Sequence, residues 1–214
     1  LKIQNVEIDQ FYGGKVLVYQ FDANGNLLEK KQVSDDLKEN TNWTSFTSAI
    51  TVKENAAYVR LGFYIGGVWQ KNADIQILID QISFVQSEIT EDSEEEENGQ
   101  EGPGIVTLDA LMNGDFEESV FDRPVEGWSL ATTNSAGSYD TSRDFTGNYQ
   151  LSITDDAFSG EKALALSGKN GTKGYVVAQS EYIKVTAGAG YSFSYALKIQ
   201  NVEIDQFYGG KVLV

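Results

Sequence analysis

The chain contains neither histidine nor cysteine. Imidazole-dependent triads and acid–base relays, thiol nucleophiles, Cys/His zinc sites and disulfides therefore have no residues to work with. The chemistry left to it is that of carboxylates, hydroxyls, amides and aromatic rings. Paired carboxylates could serve glycoside hydrolysis, but the sequence brings no two of the 32 acidic residues together. There is no Gly-x-Ser-x-Gly elbow and no phosphate-cradling glycine loop. No catalytic role is expected. One run, Asp22-Ala23-Asn24-Gly25-Asn26, opens like a calcium loop with Asp/Asn at positions 1, 3 and 5. Positions 6 and 12, where glycine and a bidentate glutamate are needed, hold Leu27 and Val33. Its Asn-Gly step instead predicts a tight hairpin turn.

The elements that must position these groups are strands. Tyr191, Phe193, Tyr195, Leu197 and Ile199 alternate with Ser192, Ser194, Ala196, Lys198 and Gln200, and Val59, Leu61, Phe63 and Ile65 alternate with Tyr58, Arg60, Gly62 and Tyr64. That period of two marks strands with one face in a core. Ile75–Val85 reads as a strand pair or as one long strand. Helical spacing is nearly absent, so the predicted fold is all-β: an antiparallel β-sandwich of many short strands. With 214 residues, 41% of them apolar, the chain can bury a core of that size. No run of about 18 apolar residues is present, so no membrane insertion is expected.

Residues 1–18 and 197–214 are identical, LKIQNVEIDQFYGGKVLV in both places. The period is 196 residues, and two readings follow. Either the chain is a window on an array of near-identical repeats, or it is a circular permutant with one segment duplicated. In both, the domain order begins after the linker, runs 105–196, passes through one copy of the shared segment and ends with 19–88. The expected organisation is thus 1–88 as the C-terminal part of a sandwich, 89–104 as an acidic linker, and 105–214 as the N-terminal part. Around the linker, Glu88, Glu91, Asp92, Glu94, Glu95, Glu96, Glu97 and Glu101 place eight negative charges in fourteen residues, half of the net charge of −16. Charge of this density keeps a segment extended, and the overall balance disfavours nucleic acid as a partner.

In the permuted order, a series of short motifs lines up: Asn113-Gly114-Asp115-Phe116-Glu117, Val125-Glu126-Gly127-Trp128, Ser159-Gly160-Glu161-Lys162-Ala163-Leu164, the strand around Tyr191–Lys198, Val16–Asp22, Asn42-Trp43-Thr44, Val59–Tyr64 and Ile79–Phe84. The series resembles carbohydrate-binding modules of the family 4, 9, 16 and 22 type, which have a galactose-binding-like jelly roll. The resemblance spans about 180 residues, everything but the linker. It implies a non-catalytic module that binds a neutral polysaccharide by stacking rings on sugar faces, with polar side chains on the hydroxyls. By resemblance and face assignment the carbohydrate-binding residues are Tyr64, Trp128, Trp69 and Tyr19, with Arg60 and Gln70 as polar partners. Trp43 is expected in the core. The family's structural Ca²⁺ implies Glu117 and Asp80 as ligands, with Asp115 and main-chain oxygens near Lys162 in addition. The implied setting is extracellular or at a bacterial cell surface. The exact repeat supports a different class of function: a structural tandem repeat of an adhesin or fibre, assembling into homo-oligomers or filaments by strand exchange of the 1–18/197–214 segment.

Overall fold

The computed structural model describes residues 10–11, 13–66, 68–69, 74–87, 113–133, 139–140, 149–169 and 175–203. Its strands are β1 (Gln10–Phe11), β2 (Gly14–Phe21), β3 (Leu27–Gln32), β4 (Thr44–Thr51), β5 (Tyr58–Ile65), β6 (Val68–Trp69) and β7 (Ile75–Gln86), followed by β8 (Trp128–Thr133), β9 (Tyr139–Asp140), β10 (Tyr149–Thr154), β11 (Ala163–Gly168), β12 (Val176–Ser180), β13 (Ile183–Lys184) and β14 (Gly190–Gln200). No helix occurs among the described residues. One sheet has the order β10-β11-β7-β14-β4, and the other runs β3-β2-β5-β12-β8-β9 with β13 also on β5. The strand pairs are antiparallel. The fold is the all-β sandwich that the alternating pattern predicts.

The core lies between the two sheets. Along β14, Tyr191, Phe193, Tyr195, Leu197 and Ile199 are all buried, as their alternation requires. Across from them β5 contributes Val59, Leu61, Phe63 and Ile65, and β2 contributes Val16 and Val18. The aromatic rings interlock: Phe63 lies 5.6 Å from Tyr195 and 5.9 Å from Trp128, and Phe84 stacks on Tyr191 at 4.7 Å. Each such ring, removed from water, contributes about 1.5–3 kcal/mol. Burial also pushes the Tyr195 hydroxyl up to about 12.

Ile75–Gln86 is one strand with a bulge. Opposite Ser194 and Ala196 the register slips by one residue, and Gln81 there adopts a φ of 49°. The extra residue lets Ile77 and Ile79 on one side of the bulge and Ile82 and Phe84 on the other all face the core. Asp80 is thereby turned to the outer face of its sheet. Asp22 forms the predicted turn, which joins β2 to β3: its carboxylate accepts from the N–H groups of Asn24 and Asn26, both at 2.8 Å. Those bonds, foremost that from the Asn26 side chain, hold its carboxyl below the usual range.

Residues before and after the acidic run 88–101 share both sheets. In the first sheet β7 lies between β11 and β14, and β14 lies between β7 and β4. In the second, β5 pairs with β12. Neither half is a sandwich without the other.

Candidate functional site

The outer face of the second sheet is built by the side chains that β2, β5 and β12 turn away from the core. Leu17, Tyr19, Phe21 and Val177 form a second apolar layer there, and Tyr58 and Tyr64 pack partly against it. Gly62, in the middle of β5, leaves the space they need. A Cβ at that position would lie 2.8 Å from both Tyr19 Cε2 and Val177 Cγ1.

Rings gather at the two ends of this layer. At one end Tyr64 and Tyr175 are half-buried and tilted against each other, with centroids 5.4 Å apart. Lys15, the register partner of Tyr64, forms an ion pair with Asp36 at 3.3 Å, and Lys38 reaches the same carboxylate. Burial, then the neighbouring Tyr175 hydroxyl and the Asp36 charge, raise the Tyr64 pKa. At the other end Tyr182 is exposed and packs edge-on to Phe21 at 5.2 Å and to Tyr58 at 5.8 Å. The Arg60 guanidinium lies over the Tyr182 ring at 4.7 Å while its Nε donates to the Ser180 carbonyl at 2.7 Å. From Tyr58 to Tyr64 the strand spans about 20 Å.

Tyr64 and Arg60 thus share one sheet face, as alternation predicts. Tyr19 lies on that face too but is fully buried within the apolar layer, with Lys30 over its ring. It is floor and not platform. Trp128 is corrected as well: it is 7% exposed and wedged between Phe63 and Phe116 in the core, so its ring is not presented to a ligand. Of Trp69 only the backbone is described, in β6 paired with β1, and Gln70 lies outside the described residues. Gln20, on the core-facing side of β2, is buried and satisfied: it donates to Thr51 O and Glu29 and accepts from Lys53 N. Sequence reasoning missed Tyr175, Tyr58 and Tyr182. Tyr175 precedes the run Val176-Val177-Ala178, which is apolar on both faces and gives no alternation to read.

The expected metal ligands are partly brought together. Two carboxylates grip the loop between β10 and β11. Asp80 Oδ2 accepts from the N–H groups of Phe158 at 2.9 Å and Ser159 at 3.0 Å, while Oδ1 accepts from Gln81 at 2.7 Å. Glu117 Oε1 accepts from the N–H groups of Glu161 at 2.9 Å and Lys162 at 3.0 Å. Asp80 is fully buried, and burial outweighs its three N–H donors, so its pKa is raised, with the nearby Glu117 charge adding to the shift. Asp115 stands apart on the surface, where it accepts from Glu117 N at 3.4 Å. Lys162 brings a cation: its Nζ donates to the Glu117 carbonyl at 2.6 Å. Among the described residues no cluster of three or more acids forms. Carboxylate oxygens of this kind are hard donors that suit Ca²⁺, but here the loop presents main-chain N–H groups to both of them.

Beside this loop, Trp43 is half-buried outside the core, correcting its expected place. Its Nε1 donates to Asp156 Oδ1 at 3.1 Å and its ring lies 6.0 Å from the exposed Phe158. Comparison of the chain with protein-family models, with curated proteins and with solved structures yields no match.

Proposed function

We propose that this chain is a non-catalytic carbohydrate-binding module that holds a neutral polysaccharide across the outer face of the second sheet. The observation that carries the reading is the Tyr64–Tyr175 pair: two half-buried rings 5.4 Å apart on a sheet face, rimmed by the Lys15–Asp36 ion pair. Rings fixed by packing, with charged and hydroxyl groups at their edge, suit the apolar face and the hydroxyls of a pyranose. Tyr182 with Arg60 offers a second contact, Arg60 lying about 13 Å along the strand from Tyr64. Trp69 and Gln70 follow Tyr64 by five and six residues in the sequence and belong to the same proposal. Binding of this kind needs no turnover, and it fits a protein that works outside the cell or at its surface. Calcium enters the proposal as a structural ion, with Asp80 and Glu117 supplying the negative charge.

Affinity electrophoresis in gels cast with soluble neutral polysaccharides tests the reading. The wild-type chain should be retarded by at least one glycan, and Tyr64→Ala/Tyr175→Ala should migrate freely while keeping the wild-type circular dichroism. Equal retardation of variant and wild type, or none in any gel, would defeat it. The identical 18-residue segments favour a second reading, a structural repeat of a surface fibre in which the tyrosine face is spacer surface. On that reading no glycan retards the wild-type chain.

A further inference from the structure

The structure describes different parts of the two copies of LKIQNVEIDQFYGGKVLV, 10–11 and 13–18 of the first and 197–203 of the second. In the second copy, Leu197–Gln200 completes β14 and lies between β4 and β7. In the first copy, Gly14–Val18 begins β2 and lies between β3 and β5 in the opposite sheet. The sandwich therefore takes the opening residues of the segment from one copy and the closing residues from the other. Because the letters are the same, either copy carries the right side chains for both places.

The two places also abut. Gly14 exchanges backbone hydrogen bonds with Leu37, at 2.7 and 2.9 Å, while the Asn40 side-chain amide donates to the Val202 carbonyl at 3.0 Å and accepts from the Val202 N–H at 2.8 Å. Leu37 and Asn40 are separated by at most about 10 Å of chain. The segment's sixth and fourteenth residues, Val202 and Gly14 as seated, are eight residues apart in an uninterrupted copy, which can reach about 27 Å. One unbroken copy can therefore run through both places.

We propose that the sandwich also closes in trans: residues 105–214 of one molecule fold with residues 19–88 of a second copy of this chain. Leu197–Gln200 then keeps its place in β14 and Gly210–Val214 occupies the place of Gly14–Val18 in β2. The side-chain contacts are those of the closed chain except at the seam before Tyr19, where Gly14–Val18 of the second molecule must leave the strand, so the choice between the two forms is set by connection and by that seam. In the closed form the halves are joined through the acidic segment, which gives them an effective concentration in the millimolar range. Trans closure therefore dominates only in concentrated protein or where cis closure is blocked. Each molecule then offers one half to each of two neighbours, and the contact is heterologous and propagates head to tail.

Blocking cis closure in full-length chains gives the test. Leu61→Asp/Phe63→Asp ruins the half containing β5, and Phe193→Asp/Tyr195→Asp ruins the half containing β14; all four side chains are at most 2% exposed. Alone, each chain should lack a cooperative unfolding transition. An equimolar mixture at micromolar concentration should regain one, with the mass of two chains by light scattering. The rescue should persist when Val16→Asp/Val18→Asp is added to the Phe193→Asp/Tyr195→Asp chain, because Val212 and Val214 of the other chain replace them. A mixture that remains the sum of two unfolded chains would overturn trans closure. Rescue that is abolished by Val16→Asp/Val18→Asp would overturn the interchange of copies. The readouts are folding and mass, so neither result depends on whether the tyrosine face binds sugar.

Discussion

Gly160→Ala isolates the grip of Glu117 on the loop between β10 and β11. Gly160 has a φ of 72°, and a Cβ there would fall on Glu117 Oε1 and lie 2.7 Å from its Cδ. Two costs follow. An alanine in the left-handed region loses about 1–2 kcal/mol. The Glu117 carboxylate must also swing away, giving up the N–H groups of Glu161 and Lys162. Hydrogen bonds to a charged acceptor contribute about 1.5–3 kcal/mol each. Glu117 is half-exposed and water replaces part of the loss, so about 1 kcal/mol apiece is the reasonable share. The expected total is about 3–4 kcal/mol. Urea denaturation followed by tryptophan fluorescence reads it as a lower midpoint with an unchanged slope. In a Glu117→Ala background the same substitution should cost only the backbone term, about 1–2 kcal/mol, because nothing remains to collide with. Strictly additive costs in the double variant, or an unchanged midpoint for Gly160→Ala alone, would refute the steric coupling.

Two buried or partly buried acids should shape the pH dependence in opposite senses. The Asp156 pKa is lowered, chiefly by the hydrogen bond from Lys198, so its contribution is present above the ordinary value of 3.8 and is lost as the pH falls through the depressed one. The Asp80 pKa is raised, chiefly by burial, so its contribution is fullest below 3.8 and declines as the pH rises through the raised value. Urea midpoints between about pH 3 and pH 7 should therefore lose their acid-side fall in Asp156→Asn and lose the opposing trend in Asp80→Asn. Calcium, if Asp80 and Glu117 hold it, should raise the thermal midpoint of the wild type and not that of Asp80→Asn, with about 2.7 kcal/mol expected at a hundredfold excess over Kd; equal responses would remove Asp80 from the site. Gly62→Ala should cost about 1–3 kcal/mol by overpacking Tyr19 and Val177, read as a reduced urea midpoint.

Alternation was enough to assign β5 and β14, because each buries aliphatic or aromatic side chains against the opposite sheet at every second position, and the positions between them, Tyr58, Arg60, Gly62 and Tyr64 in β5 and Ser192, Ser194, Ala196, Lys198 and Gln200 in β14, break the apolar run. It failed to decide between one strand and two at Ile75–Gln86, where Leu78 and Asp80 are buried on the outer face and the bulge at Gln81 reverses the parity. Alternation reports which face a side chain occupies and not what covers that face. Tyr19 shows the difference: it is opposite Val16 and Val18, as its position dictates, yet wholly buried by a second apolar layer. Trp128 and Trp43 exchanged places for a related reason. Trp128 stands at the start of β8 right after a turn, and Trp43 lies just ahead of β4 at the end of an irregular stretch, so no period exists to fix their direction. The meeting of Asp80 with Glu117 at one loop comes from residues far apart in sequence, and only the family resemblance pointed to it.

The tyrosine face is itself a product of closure. Tyr64 and Arg60 are carried by β5, from the part of the chain before the acidic segment, and Tyr175 and Tyr182 flank β12, from the part after it. The pairing of β5 with β12, with Tyr64 opposite Val177, is what brings Tyr175 beside Tyr64. A half-sandwich thus carries half of a platform, and binding and folding are linked: a ligand that bridges Tyr64 and Tyr175 stabilises the closed form over any state with β5 and β12 apart. The linkage holds whether the two strands belong to one molecule or to two. In the equimolar mixture of the two broken chains, Tyr64 comes from the Phe193→Asp/Tyr195→Asp chain and Tyr175 from the Leu61→Asp/Phe63→Asp chain. A bound glycan should therefore raise the midpoint of the rescued species as it does that of the wild type. A rescued sandwich whose midpoint ignores a glycan that stabilises the wild type would mean that the face spanning β5 and β12 is not where the sugar sits.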